Sequence, residues 1–194
     1  IREQGRIKPV PHDPLLPTFT AWDLGIGDAM AIWCAQRERS GDVRVIDYYE
    51  NSGEGLGHYV NWLNARGYTF ERHYLPHDAA ARELGTGKSR EEMLRSLGLA
   101  TEVLPALPVE DGIEATRMFL RRCWFDAEKC RTGLDALVSY KRRLNSRTEE
   151  YGTPEHDWAS HGADAMRYMA MGLKSKPVAD QFKPLKYDNR GIND

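Results

Sequence analysis

An aspartate inside a run of strand-forming residues limits how the N-terminal part of this chain can fold. Asp23 follows residues 18–22 (Thr-Phe-Thr-Ala-Trp), β-branched, aromatic and apolar types that fit a pleated, half-buried surface. An ionised carboxylate in that setting is costly unless it is paired or binds a metal. Gly25, Gly27 and Asp28 follow at once, so an aspartate that begins a turn is the competing interpretation. Two further isolated aspartates downstream favour a functional group.

Composition narrows the class of protein. A chain of 194 residues with 41% hydrophobic and 29% charged residues fits one soluble globular domain with a sizeable core. A net charge of −2 gives no overall attraction to nucleic acid, so only local basic clusters could bind it. Three cysteines without metal-like spacing indicate reduced thiols, with Cys123 and Cys130 as buried residues of a helical stretch. No apolar run is long enough to span a membrane, and no membrane partner is expected.

Hydrophobic periodicity predicts an α/β fold with a mixed five-stranded sheet. Three strands joined by short turns predict an antiparallel meander, and two later strands, each following a helix, are expected to be parallel. Strands are predicted at 18–25, 29–35, 43–49, 69–75 and 101–104, and helices at 56–65, 90–97, 113–122, 126–143 and 155–172. Residues 1–17, which are polar and rich in proline, predict a lead-in or linker with a piece missing upstream. The domain is expected to cover 18–172, followed by a C-terminal tail at 173–194.

The second isolated carboxylate follows directly after the fourth predicted strand. His77 and Asp78 come after Pro76, which ends that strand. Residues just past the carboxyl end of a strand that follows a crossover helix are favoured site positions in α/β sheets.

A glycine-rich string near Asp78 raises the question of nucleotide binding. Residues 85–89 (Gly-Thr-Gly-Lys-Ser) resemble the end of a phosphate-binding P-loop, but Arg82 stands where that motif needs an earlier glycine. The lead-in at 80–84 is helical in character rather than a hydrophobic strand. We therefore reject a nucleotide site and expect Arg82, Lys88 and Arg90 to contact phosphates of a larger polyanion.

The third carboxylate lies on the last predicted helix. The spacing of Asp157, His161, Asp164 and Tyr168 places them on one helical face, beside an apolar stripe that includes Met166 and Met169. A solvent-facing polar stripe is the competing interpretation. A basic run before this helix is a second candidate for phosphate contacts, or else a solvated face favoured by the helix dipole. It comprises Lys141, Arg142, Arg143 and Arg147.

The order of these three aspartates resembles that of the ribonuclease H-like fold, in which such carboxylates converge on two divalent cations. Hard cations such as Mg²⁺ and Mn²⁺ take oxygen ligands. At a closer level the chain resembles the nuclease domain of a phage terminase large subunit. The matching phrases are residues 20–25 (Thr-Ala-Trp-Asp-Leu-Gly), 75–79 (Leu-Pro-His-Asp-Ala), 124–126 (Trp-Phe-Asp) with 133–137 (Gly-Leu-Asp-Ala-Leu), and 161–168 (His-Gly-Ala-Asp-Ala-Met-Arg-Tyr).

This resemblance implies a metal-dependent endonuclease that cuts concatemeric double-stranded viral DNA during genome packaging. It implies that Asp23, Asp78 and Asp164 hold two Mg²⁺ or Mn²⁺ ions. We expect His77, Asp157 and His161 to orient ligands or bound waters, although surface positions are equally compatible with their spacing. The implied partners are double-stranded DNA, an N-terminal packaging ATPase, the small terminase subunit and the portal of the prohead. The expected location is the host cytoplasm, with the protein encoded by a virus or prophage.

Two other functions are compatible with the same fold. A Holliday-junction resolvase would be a compact dimer that prefers four-way junctions. A catalytically inactive scaffold would carry the same acids as structural residues and would not bind Mn²⁺.

Overall fold

The fold is described by a computed structural model that covers residues 1–25, 28–83, 85–144 and 151–174. The strands are β1 Ile7–Lys8, β2 Thr18–Asp23, β3 Ala29–Arg37, β4 Val43–Ser52, β5 Phe70–Leu75, β6 Thr101–Val103, β7 Cys123–Asp126, β8 Arg142–Leu144 and β9 Tyr151–Pro154. The α-helices are α1 Leu56–Asn64, α2 Arg90–Ser96, α3 Val109–Leu120, α4 Arg131–Ser139 and α5 Trp158–Lys174, and a short 3₁₀ helix spans His77–Ala80.

A seven-stranded mixed sheet forms the centre of the domain, in the order β1-β7-β4-β3-β2-β5-β6. Strands β2, β3 and β4 form the predicted antiparallel meander. Strands β5 and β6 extend it in parallel on one side, whereas β7 and β1 do so on the other. Strands β8 and β9 form a separate antiparallel pair.

The prediction of five strands was wrong on the side of the sheet beyond β4, where two further strands, β7 and β1, are present. Residues 123–126 form a strand, β7, so Cys123 begins a strand instead of lying on a helix. The helix predicted at 126–143 is the shorter helix α4. The Asp126 carboxylate accepts hydrogen bonds from the backbone N–H groups of Glu128 and Lys129, which turns the chain before α4 begins. The same carboxylate accepts from Val10 N–H, which holds the N-terminal segment so that β1 pairs with β7. Residues 1–17 therefore contribute a strand to the sheet.

Helices cover both faces of the sheet. On one face α5 packs its apolar stripe, including Met166, Met169 and Ala170, against β2 and β3 as the sequence predicts. The indole of Trp33 on β3 donates a hydrogen bond of 2.8 Å to the carbonyl of Gly162 in α5. Helices α1 and α2 contribute to the core on the other face, around Trp22. The three cysteines are buried and unpaired, which confirms the packing role predicted for Cys123 and Cys130.

A buried polar chain fixes β2 against its parallel neighbour β5. The Trp22 indole donates to Thr20 Oγ1 at 2.8 Å, and Thr20 Oγ1 lies 2.7 Å from Nδ1 of His73 on β5. Burial lowers the pKa of His73 to about 4, so its ring is neutral at pH 7 and Nδ1 can accept from the threonine hydroxyl. This chain of hydrogen bonds sets the relative positions of the carboxyl ends of the two strands.

None of the helices in the described residues is long and apolar enough to cross a membrane.

Candidate metal centre

The three aspartates singled out in the sequence lie at elements that meet at one end of the sheet. Asp23 is the last residue of β2, and Asp78 lies in the 3₁₀ helix directly after β5. Because β2 and β5 are parallel neighbours, their carboxyl ends reach the same edge. Asp164 lies in the second turn of α5, the helix that packs across β2 and β3.

Each of these carboxylates has a positively charged or protonatable partner from a helix. In all three pairs a nitrogen lies 3.0 Å from a carboxylate oxygen. The pairs are Asp23 Oδ2 with His161 Nδ1, Asp78 Oδ2 with Arg90 Nη2, and Asp164 Oδ1 with Arg167 Nη1. In the metal-free protein the two arginines, and His161 when it is protonated, offset the negative charge of the three carboxylates.

His161 is a buried bridge between two acids. Nδ1 must donate to the Asp23 carboxylate, and Nε2 lies 3.4 Å from Oδ1 of Asp28, the residue before β3. The hydrogen bond to Asp23 raises the pKa of His161, burial opposes this, and the charges of Asp23 and Asp28 add to the increase. His156 extends the chain, with Nε2 3.4 Å from Oδ2 of Asp28. The contact between His161 and Asp23 therefore supports the prediction that His161 orients a metal ligand.

The surroundings of Asp164 perturb the pKa of its carboxyl group. Burial raises its pKa to about 6; the nearby charge of Arg167 lowers it, and the like charge of Asp23 raises it. Oδ1 is buried and has no hydrogen-bond partner among the described residues, because Arg167 lies within ion-pair distance but not in hydrogen-bond geometry. A buried carboxylate oxygen without a hydrogen-bond partner is a suitable ligand for a hard cation.

Tyr168, one turn after Asp164, indicates how closely the three acids approach one another. Burial raises the pKa of this phenol, and the charges of Asp164, Asp78 and Asp23 each raise it further. All three carboxylates are therefore within electrostatic range of one hydroxyl. Within the described ranges, however, no three acidic, histidine or cysteine side chains are close enough together to hold a metal ion as they stand. The acids lie in one region, and one carboxylate oxygen of each lies next to a separate partner.

Two of the supporting residues suggested by the sequence have other surroundings in the structure. Asp157 precedes α5, and its Oδ1 accepts a hydrogen bond of 2.9 Å from the Ala159 backbone N–H, which caps the helix. It was predicted inside the helix, which in fact begins at Trp158. The side chain of His77 is exposed in the 3₁₀ helix, and no hydrogen bond or ion pair joins it to Asp78 in the described part of the chain.

The candidate phosphate-binding residues are placed very differently from one another. Arg90 is only 6% exposed and bonded inside the protein, so it does not present a free cation to DNA as the sequence suggested. Lys88 is exposed near the end of the 82–89 loop, and Arg143 is exposed on β8. Surface pairs join Arg82 to Glu92, Lys141 to Glu155 and Arg142 to Glu110. Such exposed pairs are weak and can open to a phosphate. Arg147 lies outside the described residues.

Sequence reasoning missed Asp28, His156 and Arg167. Arg167 lies three residues after Asp164 and so shares its helical face, a spacing that could have identified it. Asp28 and His156 are distant in sequence, and only the folded structure brings His156, which precedes α5, next to Asp28, which precedes β3.

Solved structures of phage terminases share this fold. The chain is similar to the large terminase of a thermophilic bacteriophage in complex with ADP, with a TM-score of 0.68 and 16% identity over 88% of this chain and 42% of that one. It is similar to the large terminase nuclease domain of phage P22, with a TM-score of 0.67 and 18% identity over 88% and 89%. The large terminase nuclease domain of bacteriophage SPP1 with bound Mn gives a TM-score of 0.61 and 14% identity over 83% and 91%.

These structural similarities establish the fold and show how much of the chain it covers. The ribonuclease H-like mixed sheet predicted from the sequence is confirmed, and the described fold is that of large terminase nuclease domains. The chain spans only about two fifths of the length of the ADP-bound large terminase. No family model matches the sequence, and no curated protein matches it.

Proposed function

We propose that this chain is a divalent-metal-dependent DNA endonuclease that cuts concatemeric viral double-stranded DNA during genome packaging. The observation that supports this most is the arrival of Asp23, Asp78 and Asp164 at one end of the sheet, in the fold of large terminase nuclease domains. One of those domains was solved with bound Mn.

Asp23, Asp78 and Asp164 are the proposed ligands of two Mg²⁺ or Mn²⁺ ions. Oxygen donors of this kind match the preference of both cations. The side-chain contacts of Asp23 and Asp78 use Oδ2 in both cases, and Oδ1 of each has no bonded partner among the described residues. Two ions held by such a set would activate the attacking water and stabilise the leaving oxygen of a phosphodiester bond.

The chain's own residues prepare the site for that chemistry. His161 holds Asp23 in one orientation and, when protonated, offsets part of the negative charge of Asp23 and Asp28. Arg167, which lies on the same helix as Asp164, offsets the negative charge of that carboxylate. Partners of this kind fix the orientation of ligating carboxylates, and their loss typically costs about 10–100-fold in metal affinity or activity.

The wider assembly belongs to the same proposal. In the full-length protein we expect an N-terminal packaging ATPase, and as partners the small terminase subunit and the portal of the prohead. We expect it to act in the host cytoplasm. The nuclease acts on DNA that the ATPase holds, so the separate domain is expected to cut weakly.

Nicking of supercoiled plasmid tests the proposal directly. Wild-type protein should nick in Mn²⁺ and stop in EDTA, and Asp23→Asn should abolish nicking because it removes ligand charge while keeping shape. Asp135→Asn, an exposed acid on α4, is the matched control and should cut like wild type. Equal nicking by Asp23→Asn would remove Asp23 from the site, and absence of Mn²⁺ binding would favour the inactive scaffold. Dimerisation with four-way-junction preference would favour a resolvase.

Lys88 is expected to contact a DNA phosphate. It lies in a turn closed by hydrogen bonds between Glu83 N–H and Lys88 O (3.0 Å) and between Gly87 N–H and Glu83 O (2.8 Å), and no ion pair with another described residue occupies its ammonium. Lys88→Ala should weaken DNA binding equally for all sequences and lower the log–log salt slope by about one unit. DNA affinity measured from low to moderate salt checks this.

The control for Lys88→Ala is Lys8→Ala, on the strand at the opposite edge of the sheet. Both changes remove one positive charge, so a general charge effect would appear in both variants. A salt slope for Lys88→Ala that matches wild type would move the DNA contact to Arg143 and the basic segment near it.

A further inference from the structure

Arg90 is buried at the end of the sheet that carries Asp23 and Asp78. Its Nη1 donates a hydrogen bond of 2.6 Å to the backbone carbonyl of Leu24, the residue after Asp23. Its Nη2 donates to Oδ2 of Asp78 at 3.0 Å. One guanidinium therefore joins the end of β2 to the 3₁₀ helix that follows β5.

Local sequence fixes the backbone from which this side chain extends. Ser89 caps α2, its Oγ accepting from the Glu92 backbone N–H at 3.0 Å while the Glu92 carboxylate accepts from Ser89 N–H at 2.8 Å. This capping box satisfies two N–H groups at the start of the helix and makes Arg90 the first helical residue. An antiparallel bridge between Arg82 and Ser89 closes the preceding loop. The side chain thus starts from a defined point.

The chemistry at this position requires arginine. A buried guanidinium is costly unless its donors are satisfied, and Arg90 meets that requirement with one carbonyl and one carboxylate. Its planar fork places two nitrogens on two acceptors at once, which the single ammonium of lysine does not reproduce. Because Asp78 accepts the hydrogen bond of Arg90 through Oδ2, its Oδ1 is available to bind another group.

We propose that Arg90 is a positioning residue that holds the Asp78 carboxylate at a fixed separation from Asp23, with Oδ1 presented to a divalent metal. This inference rests on the proposed metal-dependent nuclease function. It replaces the expectation that Arg90 contacts DNA, because a side chain buried to this degree does not reach a phosphate.

Calorimetric titration with Mn²⁺ on Arg90→Lys tests this role, with folding checked by circular dichroism. Lysine keeps the charge but loses the double contact, so Mn²⁺ affinity should fall about 10-fold or more. DNA affinity and its salt slope should stay at wild-type values. The control is Arg95→Lys on the same helix, an arginine paired with Glu91 at its surface, which should leave Mn²⁺ affinity unchanged. In an Asp78→Asn background, Arg90→Lys should have little further effect on Mn²⁺ affinity.

Each other result counts against the inference. Wild-type Mn²⁺ affinity in Arg90→Lys would overturn it while leaving the nuclease proposal intact. A salt slope lowered by about one unit would make Arg90 a phosphate contact instead. If Arg90→Lys does not fold, Arg90→Gln replaces it, and failure of both to fold would make Arg90 a residue of the fold alone. If wild-type protein does not bind Mn²⁺, the proposed function fails first and this inference with it.

Discussion

Replacing Asp164 by asparagine is expected to abolish DNA cleavage and, in metal-free protein above pH 7, to raise the free energy of unfolding. Cleavage is lost because asparagine is neutral and cannot supply the charge of a metal ligand. Stability rises because the folded protein holds this carboxylate in a partly buried position near Asp23, which raises its pKa to about 6 from an ordinary value of 3.8. A shift of about two pKa units corresponds to about 3 kcal/mol, an upper bound for the gain.

The sign of the pH dependence follows from the direction of that shift. Above pH 6 the folded wild type carries an ionised, partly buried Asp164, and nearly the full cost in stability is present. As the pH falls from 6 to 4, the folded state binds the proton before the unfolded state does, and most of the cost disappears. The stability advantage of Asp164→Asn should therefore be largest near pH 8, about half as large at about pH 5, and small below about pH 4.

Chemical denaturation of both proteins in EDTA at several pH values measures this difference. Because the comparison is made between two variants at each pH, the titration of other groups largely cancels. A constant difference from pH 8 to pH 4 would mean that Asp164 does not titrate in this range. Added Mn²⁺ should reverse the order, stabilising wild type more than Asp164→Asn.

Asp78→Asn provides the contrasting case. Carboxylates clustered in one site repel one another, so the sequence alone predicts that each of the three asparagine substitutions leaves the thermal stability of the metal-free protein equal or higher. The structure limits that prediction, because Asp78 is the charged partner of a buried arginine. Its neutralisation leaves Arg90 with only the Leu24 carbonyl as a strong acceptor. Asp78→Asn should therefore lower stability while Asp164→Asn raises it.

Local patterns predicted the positions of Asp23 and Asp78 in the fold better than they predicted the number of strands. Asp23 and Asp78 were located correctly at strand ends because each interrupts or follows a clear strand pattern. Strand β7 was missed because Cys123–Asp126 is short and runs into a segment with helical periodicity. Its strand character depends on pairing with β4 and β1, which are distant in sequence. Tertiary pairing of this kind overrides local propensity.

For a related reason, the sequence could not show which of the candidate supporting residues contact the aspartates and which do not. Lys88 and Arg90 are two residues apart in one basic loop, yet the first is exposed and the second is buried. The difference arises from the capping box, which turns the chain between them into α2. Asp157 and His161 have the helical spacing of a shared face, but Asp157 lies before the first turn and caps it. Only His161 reaches the strand that carries Asp23.

The position of α5, and with it both His161 and Asp164, depends on a tight contact between Gly133 in α4 and the aromatic rings of Trp33 and Tyr48. Trp33 lies between α4 and α5, with its indole bonded to the Gly162 carbonyl. Gly133 in α4 packs directly on that ring, and a Cβ atom there would lie 2.4 Å from Trp33 Cη2 and 2.7 Å from Tyr48 Cδ2. Neither ring has room to move in a close-packed core. A side chain at 133 would therefore push Trp33 or α4, and the displacement would reach Gly162, next to His161.

Gly133→Ala is accordingly expected to lower the free energy of unfolding by about 1–3 kcal/mol, the usual cost of overpacking a core. Cleavage by the folded protein should also fall, because a shift of about 1 Å in a catalytic group can cost about 100-fold in rate. Denaturant unfolding and single-turnover nicking measure the two effects separately. Gly57→Ala is the matched control, since a Cβ there meets no atom within 4 Å and alanine favours the helix. Reduced stability with an unchanged nicking rate would show that α5 keeps its place when Trp33 moves, and that Asp164 is held by its own helix contacts instead.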